Sequence, residues 1–148
     1  MLLVAALIGF FLTSISLFSV VNAVQGITCD GRWYCERIEG DYEDFMKNVM
    51  ANPLPPTRMY KPGERIACLV KVCASLEYTM QDYNGSVVNS LVEQLHLHGC
   101  IKCGSVPVLY PGSNAVNFGV LRIDWYWSAK CKGGCKKLTF DTKPRNNP

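Results

Sequence analysis

Eight cysteines, all downstream of an uncharged apolar leader, constrain this fold more than any other feature of the sequence. Leu2 to Ala23 carry no charge, and the first charged residue in the chain is Asp30. The leader opens with the run Leu2 to Leu12 and closes with Val21-Asn22-Ala23, whose small side chains stand three and one residues before a cut. That pattern reads as a secretory signal over residues 1–23, with a mature chain from Val24. A membrane anchor competes, because about 20 apolar residues can cross a bilayer. The signal lacks a Lys or Arg near Met1, while Thr13, Ser14, Ser16 and Ser19 weaken the anchor. Export decides how Cys29, Cys35, Cys68, Cys73, Cys100, Cys103, Cys131 and Cys135 are read. An even set of cysteines in an oxidising compartment pairs into disulfides, with the connectivity open. Zinc is the alternative, since Cys100 to Cys103 and Cys131 to Cys135 have ligand-like spacings near His96 and His98. Export disfavours it, so no metal and no cofactor are expected.

The chain has 148 residues, enough for one domain. At 49% hydrophobic and 18% charged it can bury a core, which excludes a disordered tail. A net charge of +3 is too small to argue for nucleic acid.

Hydropathy patterning predicts α+β architecture. Asp41 can cap a helix from Tyr42 to Ala51, with Phe45, Met46, Val49 and Met50 on its apolar face. Asn52-Pro53-Leu54-Pro55-Pro56 stops it, because proline cannot continue a helix. After the turn at Pro62-Gly63, Arg65 to Cys73 alternates as one strand, which puts Cys68 and Cys73 on opposite faces unless a bulge intervenes, so they are not expected to pair with each other. Leu76 to Met80 can return as a second strand. A second helix is expected over Ser86 to Leu97, with Val87, Val88, Leu91, Val92 and Leu95 as its stripe and Gly99 as its left-handed stop. Val120 to Trp127 alternates cleanly, with Leu121, Ile123, Trp125 and Trp127 inward and Arg122, Asp124 and Tyr126 outward. Lys136 to Asp141 reads as a last strand. The helices are expected on one side of an antiparallel sheet.

Catalytic signals are thin, and no enzyme is expected. His96 and His98 lie two apart and cannot share a helix face, although Glu93 could partner His96. Asn84-Gly85-Ser86 is either an N-glycosylation acceptor at Asn84 or an Asn-Gly turn. Lys130, Lys132, Lys136 and Lys137 form a cluster that suits an anionic surface or an acidic channel mouth, or else a solvated sheet edge.

His98-Gly99-Cys100-Ile101-Lys102-Cys103-Gly104-Ser105-Val106-Pro107 is a more specific signal. With Gly26-Ile27-Thr28-Cys29-Asp30-Gly31 and Cys35, Pro62-Gly63-Glu64-Arg65, Lys71-Val72-Cys73 and Gly119 to Tyr126, it resembles the smut-fungus (Ustilago) viral killer toxin family, the killer protein four-like proteins. The resemblance spans Gly26 to Cys131. It divides the chain into the signal, a toxin-like domain over 24–131 and a basic extension over 132–148. It implies an α/β sandwich with two helices packed on one face of an antiparallel sheet. It also implies Cys29–Cys100 and Cys35–Cys103, leaving Cys73–Cys131 and Cys68–Cys135 for the other four cysteines.

By the same resemblance the protein is an extracellular, monomeric, antifungal inhibitor acting on a cell-surface target, with calcium channels the implied target. Lys71 is the residue that matches the family's functional lysine, and Lys130, Lys132, Lys136 and Lys137 are the accompanying contact charges. The alternative is a non-toxic cell-wall or defence protein that binds a surface partner without inhibiting growth.

Overall fold

The computed structural model describes residues 26–35, 39–128 and 136–139. Helix α1 spans Glu39–Ala51 and helix α2 spans Gly85–Leu97. Strands β1 (Met59–Tyr60) and β4 (Tyr83–Asn84) make a small ribbon. Strands β2 (Arg65–Leu69), β3 (Val72–Glu77), β5 (Gly104–Pro107), β6 (Val120–Trp125) and β7 (Lys136–Lys137) form one sheet in the order β5-β6-β3-β2-β7. Every pairing in it is antiparallel except β2 with β7. Helix α1 packs over β2 and β3, and α2 over β5 and β6. The fold is therefore α+β, a disulfide-rich sheet with two helices.

Helix α1 forms where Tyr42, Phe45, Met46 and Val49 recur at helical spacing, and all four are buried. It starts three residues before the expected Tyr42, which places Asp41 in its first turn, where a carboxylate suits the helix dipole. Met50, expected on the apolar face, is instead exposed. The proline-rich stop is clamped from α2: Asn89 accepts from Leu54 N–H at 3.0 Å and donates to Leu54 C=O at 3.0 Å. Helix α2 buries Val88, Leu91, Val92 and Leu95 and ends before Gly99 at φ +86°. Burying each such side chain contributes about 1.5–3 kcal/mol.

One expected strand is in fact two. The chain reverses at Val70-Lys71, so Arg65 to Cys73 folds as a hairpin with Leu69 opposite Val72 and Cys68 opposite Cys73. Directly opposed residues of an antiparallel pair point to the same face, and these have Cα atoms 4.1 Å apart. Cys68 is bonded to Cys73, which corrects both the expectation that they do not pair and the expected Cys73–Cys131 and Cys68–Cys135 bridges. The error lies in counting alternation through a turn that carries neither Gly nor Asn. Cys131 and Cys135 lie outside the described residues. The expected return strand at Leu76 to Met80 is displaced accordingly to Val72–Glu77.

Two further bridges, Cys29–Cys100 and Cys35–Cys103, tie the N-terminal segment to the chain just after α2. Thr28 pairs with Ser105 through reciprocal backbone bonds of 2.9 and 2.8 Å, extending the β5 edge. Gly31 permits this approach, because a Cβ there would stand 2.7 Å from Cys103 Sγ.

Candidate target-binding face

The sheet has two chemically different sides. Ala67, Leu69, Val72, Ala74, Leu76, Val106, Leu121, Ile123 and Trp125 fill the core beneath the helices. The intervening residues point the other way. On that side Ser75 registers with Arg65 and Arg122, and Cys73 with Cys68 and Asp124.

Glu77 organises this second side. Its carboxylate forms ion pairs with Arg122 (Nε at 2.9 Å) and Arg32 (a guanidinium nitrogen at 3.3 Å) and accepts from the Tyr126 hydroxyl at 3.1 Å. Tyr126 also shares a 2.7 Å hydrogen bond with Ser75 Oγ. Arg32 and Arg65 each lie 4.7 Å from its ring centre, within cation–π range. Arg65 also donates to the Ser128 carbonyl. Burial pushes the Tyr126 hydroxyl above its ordinary value, with Glu77 adding to the shift and the Ser75 hydrogen bond and Arg32 opposing it. Asp124 is wholly buried and accepts from Arg32 N–H at 3.0 Å and Trp125 N–H at 2.7 Å. The carboxylates are thus enclosed while the Arg32 side chain is half exposed.

At one end of the sheet the hairpin turn presents Lys71. Its backbone carbonyl accepts from Tyr126 N–H at 2.8 Å, and its ammonium sits 5.3 Å from the Trp125 ring centre. Trp125 belongs to an aromatic group with Tyr34 (4.5 Å between centres) and Trp127 (4.7 Å), and Tyr34 carries Trp33 at 3.5 Å. Trp127 was expected inward, but β6 ends at Trp125 and Trp127 is exposed. Val70, beside Lys71, has φ +52°, a conformation unfavourable for a β-branched residue.

Of the other expected contact lysines, Lys136 and Lys137 are described, and their side chains have different surroundings. Lys136 donates to the carbonyls of Asn52 and Pro53, just beyond the end of α1. Lys137 registers with Cys68 and is exposed on the polar side. Lys130 and Lys132 lie outside the described residues. Of the expected strand over Lys136 to Asp141, only Lys136–Lys137 is strand (β7); Leu138, beyond it, is buried, and residues 140–141 lie outside the described residues. Asn84 is the N-cap of α2, its side chain accepting from Val87 N–H at 3.0 Å.

The helix layer holds a groove of about 530 Å³ lined by Tyr42, Met46, Met50, His96 and Ile101. His96 opens onto it near the Glu43–Lys47 ion pair, whereas His98 is the C-cap of α2. Among the described residues no group of His, Cys, Asp and Glu is arranged to hold a metal ion. Among the same residues no helix is long and apolar enough to cross a membrane.

The Kp4 family model matches residues 11–126, more than half of the chain. The chain belongs to the Kp4 family, the Ustilago killer toxins. No curated protein matches the sequence. Membership of a toxin family supports a toxin-like function for this Kp4 chain. Sequence reasoning placed Lys71 by motif alone and missed the arginine–glutamate–tyrosine network beside it. The signal for that network was available: Arg122, Asp124 and Tyr126 alternate on the outward side of β6.

Proposed function

We propose that this protein is a secreted inhibitor of susceptible cells that docks on a surface cation channel, a calcium channel by family resemblance, through Lys71. The observation that carries this reading is the seating of Lys71. It projects from a two-residue turn braced by the Cys68–Cys73 bridge, with its charge held against the buried Trp125 ring. An ammonium is a compact point charge suited to the acidic ring at a cation pore. Rigid presentation reduces the ordering cost of docking. Exposed Lys137 and half-exposed Arg32 add long-range attraction to an acidic target. Catalysis is not needed for this action.

The test applies the oxidised protein to a panel of fungal and plant cells while calcium current and growth are recorded. The expected result is reduced current and growth, both lost in Lys71→Glu with the disulfides and denaturation midpoint retained. Unchanged current and growth across the panel, with saturable binding to walls, would instead establish the non-toxic interaction protein.

A further inference from the structure

We infer that the hairpin end of the sheet is a lipid-interface docking surface, on which Trp33, Trp127 and Val70 enter the headgroup region of an anionic bilayer while Lys71 and Arg32 meet its charge. This deepens the channel reading, because it supplies the surface across which the protein would reach a membrane-embedded target.

Trp33 and Trp127 are 74% and 70% exposed, and Val70 is 50% exposed. Tyr34 touches both tryptophans, and Trp125 touches Trp127 and supports Lys71, so these side chains belong to one group. Leaving two indoles in water forfeits apolar burial, and Val70 also holds an unfavourable backbone conformation to stand at the tip. Tryptophan with one wet and one apolar environment is the residue of the membrane interface.

Charge selects the kind of partner. The Arg32 side chain is half exposed, whereas its partner Glu77 is mostly buried and Asp124 entirely so. Lys71 is exposed. These two cations outnumber Asp30, the exposed carboxylate two residues before Arg32, and suit an anionic leaflet. Ring geometry argues against a sugar platform. Trp127 stands edge-on to both Trp125 (75°) and Tyr34 (81°), so the aromatic rings do not offer one flat stacking surface. Edges and tips of this kind wedge between headgroups.

The experiment titrates oxidised protein, recovered from culture medium, with phosphatidylcholine vesicles with and without about a third phosphatidylserine. Binding is followed by sedimentation and tryptophan emission. We expect partition into the anionic vesicles, a blue-shifted emission and weakening by salt. Trp33→Ser with Trp127→Ser should lower the partition constant about tenfold or more. Lys71→Gln should lower it about fivefold on anionic vesicles and leave neutral ones unchanged. Both changes are at exposed positions, and the denaturation midpoint confirms that each variant is folded. Absence of partition by the native protein, or equal partition by the tryptophan variant, would overturn the inference. So would tryptophan-dependent retention on insoluble glucan or chitin without vesicle binding. Vesicles hold no channel, so the two readings fail separately. Vesicle binding with unchanged cell currents supports this surface and removes only the channel. Channel block without vesicle binding removes only the surface.

Discussion

The ammonium of Lys71 lies 5.3 Å from the centre of the Trp125 ring, so the charge proposed above for docking is seated on a side chain of the hydrophobic core. The two residues therefore play unequal parts. A cation–π contact at an exposed site is worth about 0.5–1 kcal/mol, so Lys71→Met should lower stability by about that much or less. Trp125 is 9% exposed and packed among core residues. Its replacement by Ala should cost about 3–5 kcal/mol. Urea denaturation of the two single variants and the double variant measures both costs and their coupling. A stability loss at Lys71 as large as that at Trp125 would contradict the assignment of Lys71 to docking.

The Cys68–Cys73 bridge closes a short loop, with a sequence separation of 5, whereas Cys29–Cys100 spans 71. By chain entropy the short bridge should stabilise by about 2 kcal/mol and the long one by about 4 kcal/mol. Paired serine substitutions at each bridge, followed by chemical denaturation, should reproduce that order. Peptide mapping under non-reducing conditions should return Cys68 linked to Cys73 within one hairpin fragment. Recovery of Cys68 or Cys73 joined to Cys131 or Cys135 would refute the pairing.

These cases show where sequence reading reaches and where it stops. Apolar spacing placed both helices and the alternating strand β6, because burying a stripe or a face imposes those periods directly. The hairpin was invisible because Val70 breaks the chemistry of two-residue turns, which favour Gly or Asn at positive φ. Once the reversal was missed, the parity of Cys68 and Cys73 came out inverted. Trp127 failed for a different reason. Alternation extends only while a strand is paired, and β6 loses its partner after Trp125. The Glu77 network joins residues from the N-terminal segment, β3, β6 and the chain beyond it, a convergence that no single window of sequence contains.

Asn84 is both the head of a glycosylation sequon and the N-cap of α2. The two roles use different atoms, since capping needs Oδ1 and a glycan would occupy Nδ2. Asn84→Asp should keep the cap and remove any glycan, leaving stability close to the parent once the glycan is accounted for. Asn84→Ala should lose the cap and about 1 kcal/mol. Intact mass of the protein produced in a glycosylating host reports the glycan, and thermal unfolding of the enzymatically deglycosylated parent and the two variants reports the cap. Equal stability of Asp and Ala at this position would show that the Val87 hydrogen bond contributes nothing.

Two buried phenols, Tyr42 and Tyr60, and the partly buried Tyr126 contribute to the response to alkali. Burial raises Tyr42 and Tyr126 above the ordinary value of 10.0. It raises Tyr60 too, with Arg58 opposing the shift. Below about pH 10 each is protonated in both the folded and the unfolded chain, so through them stability does not change with pH. Above that pH the unfolded chain releases protons that the folded chain retains. Stability then falls by about 1.4 kcal/mol per pH unit for each phenol still protonated in the fold. Tyr42 isolates the effect, because its hydroxyl is buried and has no hydrogen-bond partner among the described residues. Tyr42→Phe removes a group whose burial goes uncompensated. The variant should therefore be at least as stable as the parent at neutral pH and lose stability less steeply in alkali. Urea midpoints measured from neutral pH to above the phenol range decide it. A Phe variant that is less stable at neutral pH, or that follows the parent's alkaline limb unchanged, would show that the Tyr42 hydroxyl has a partner or access to solvent.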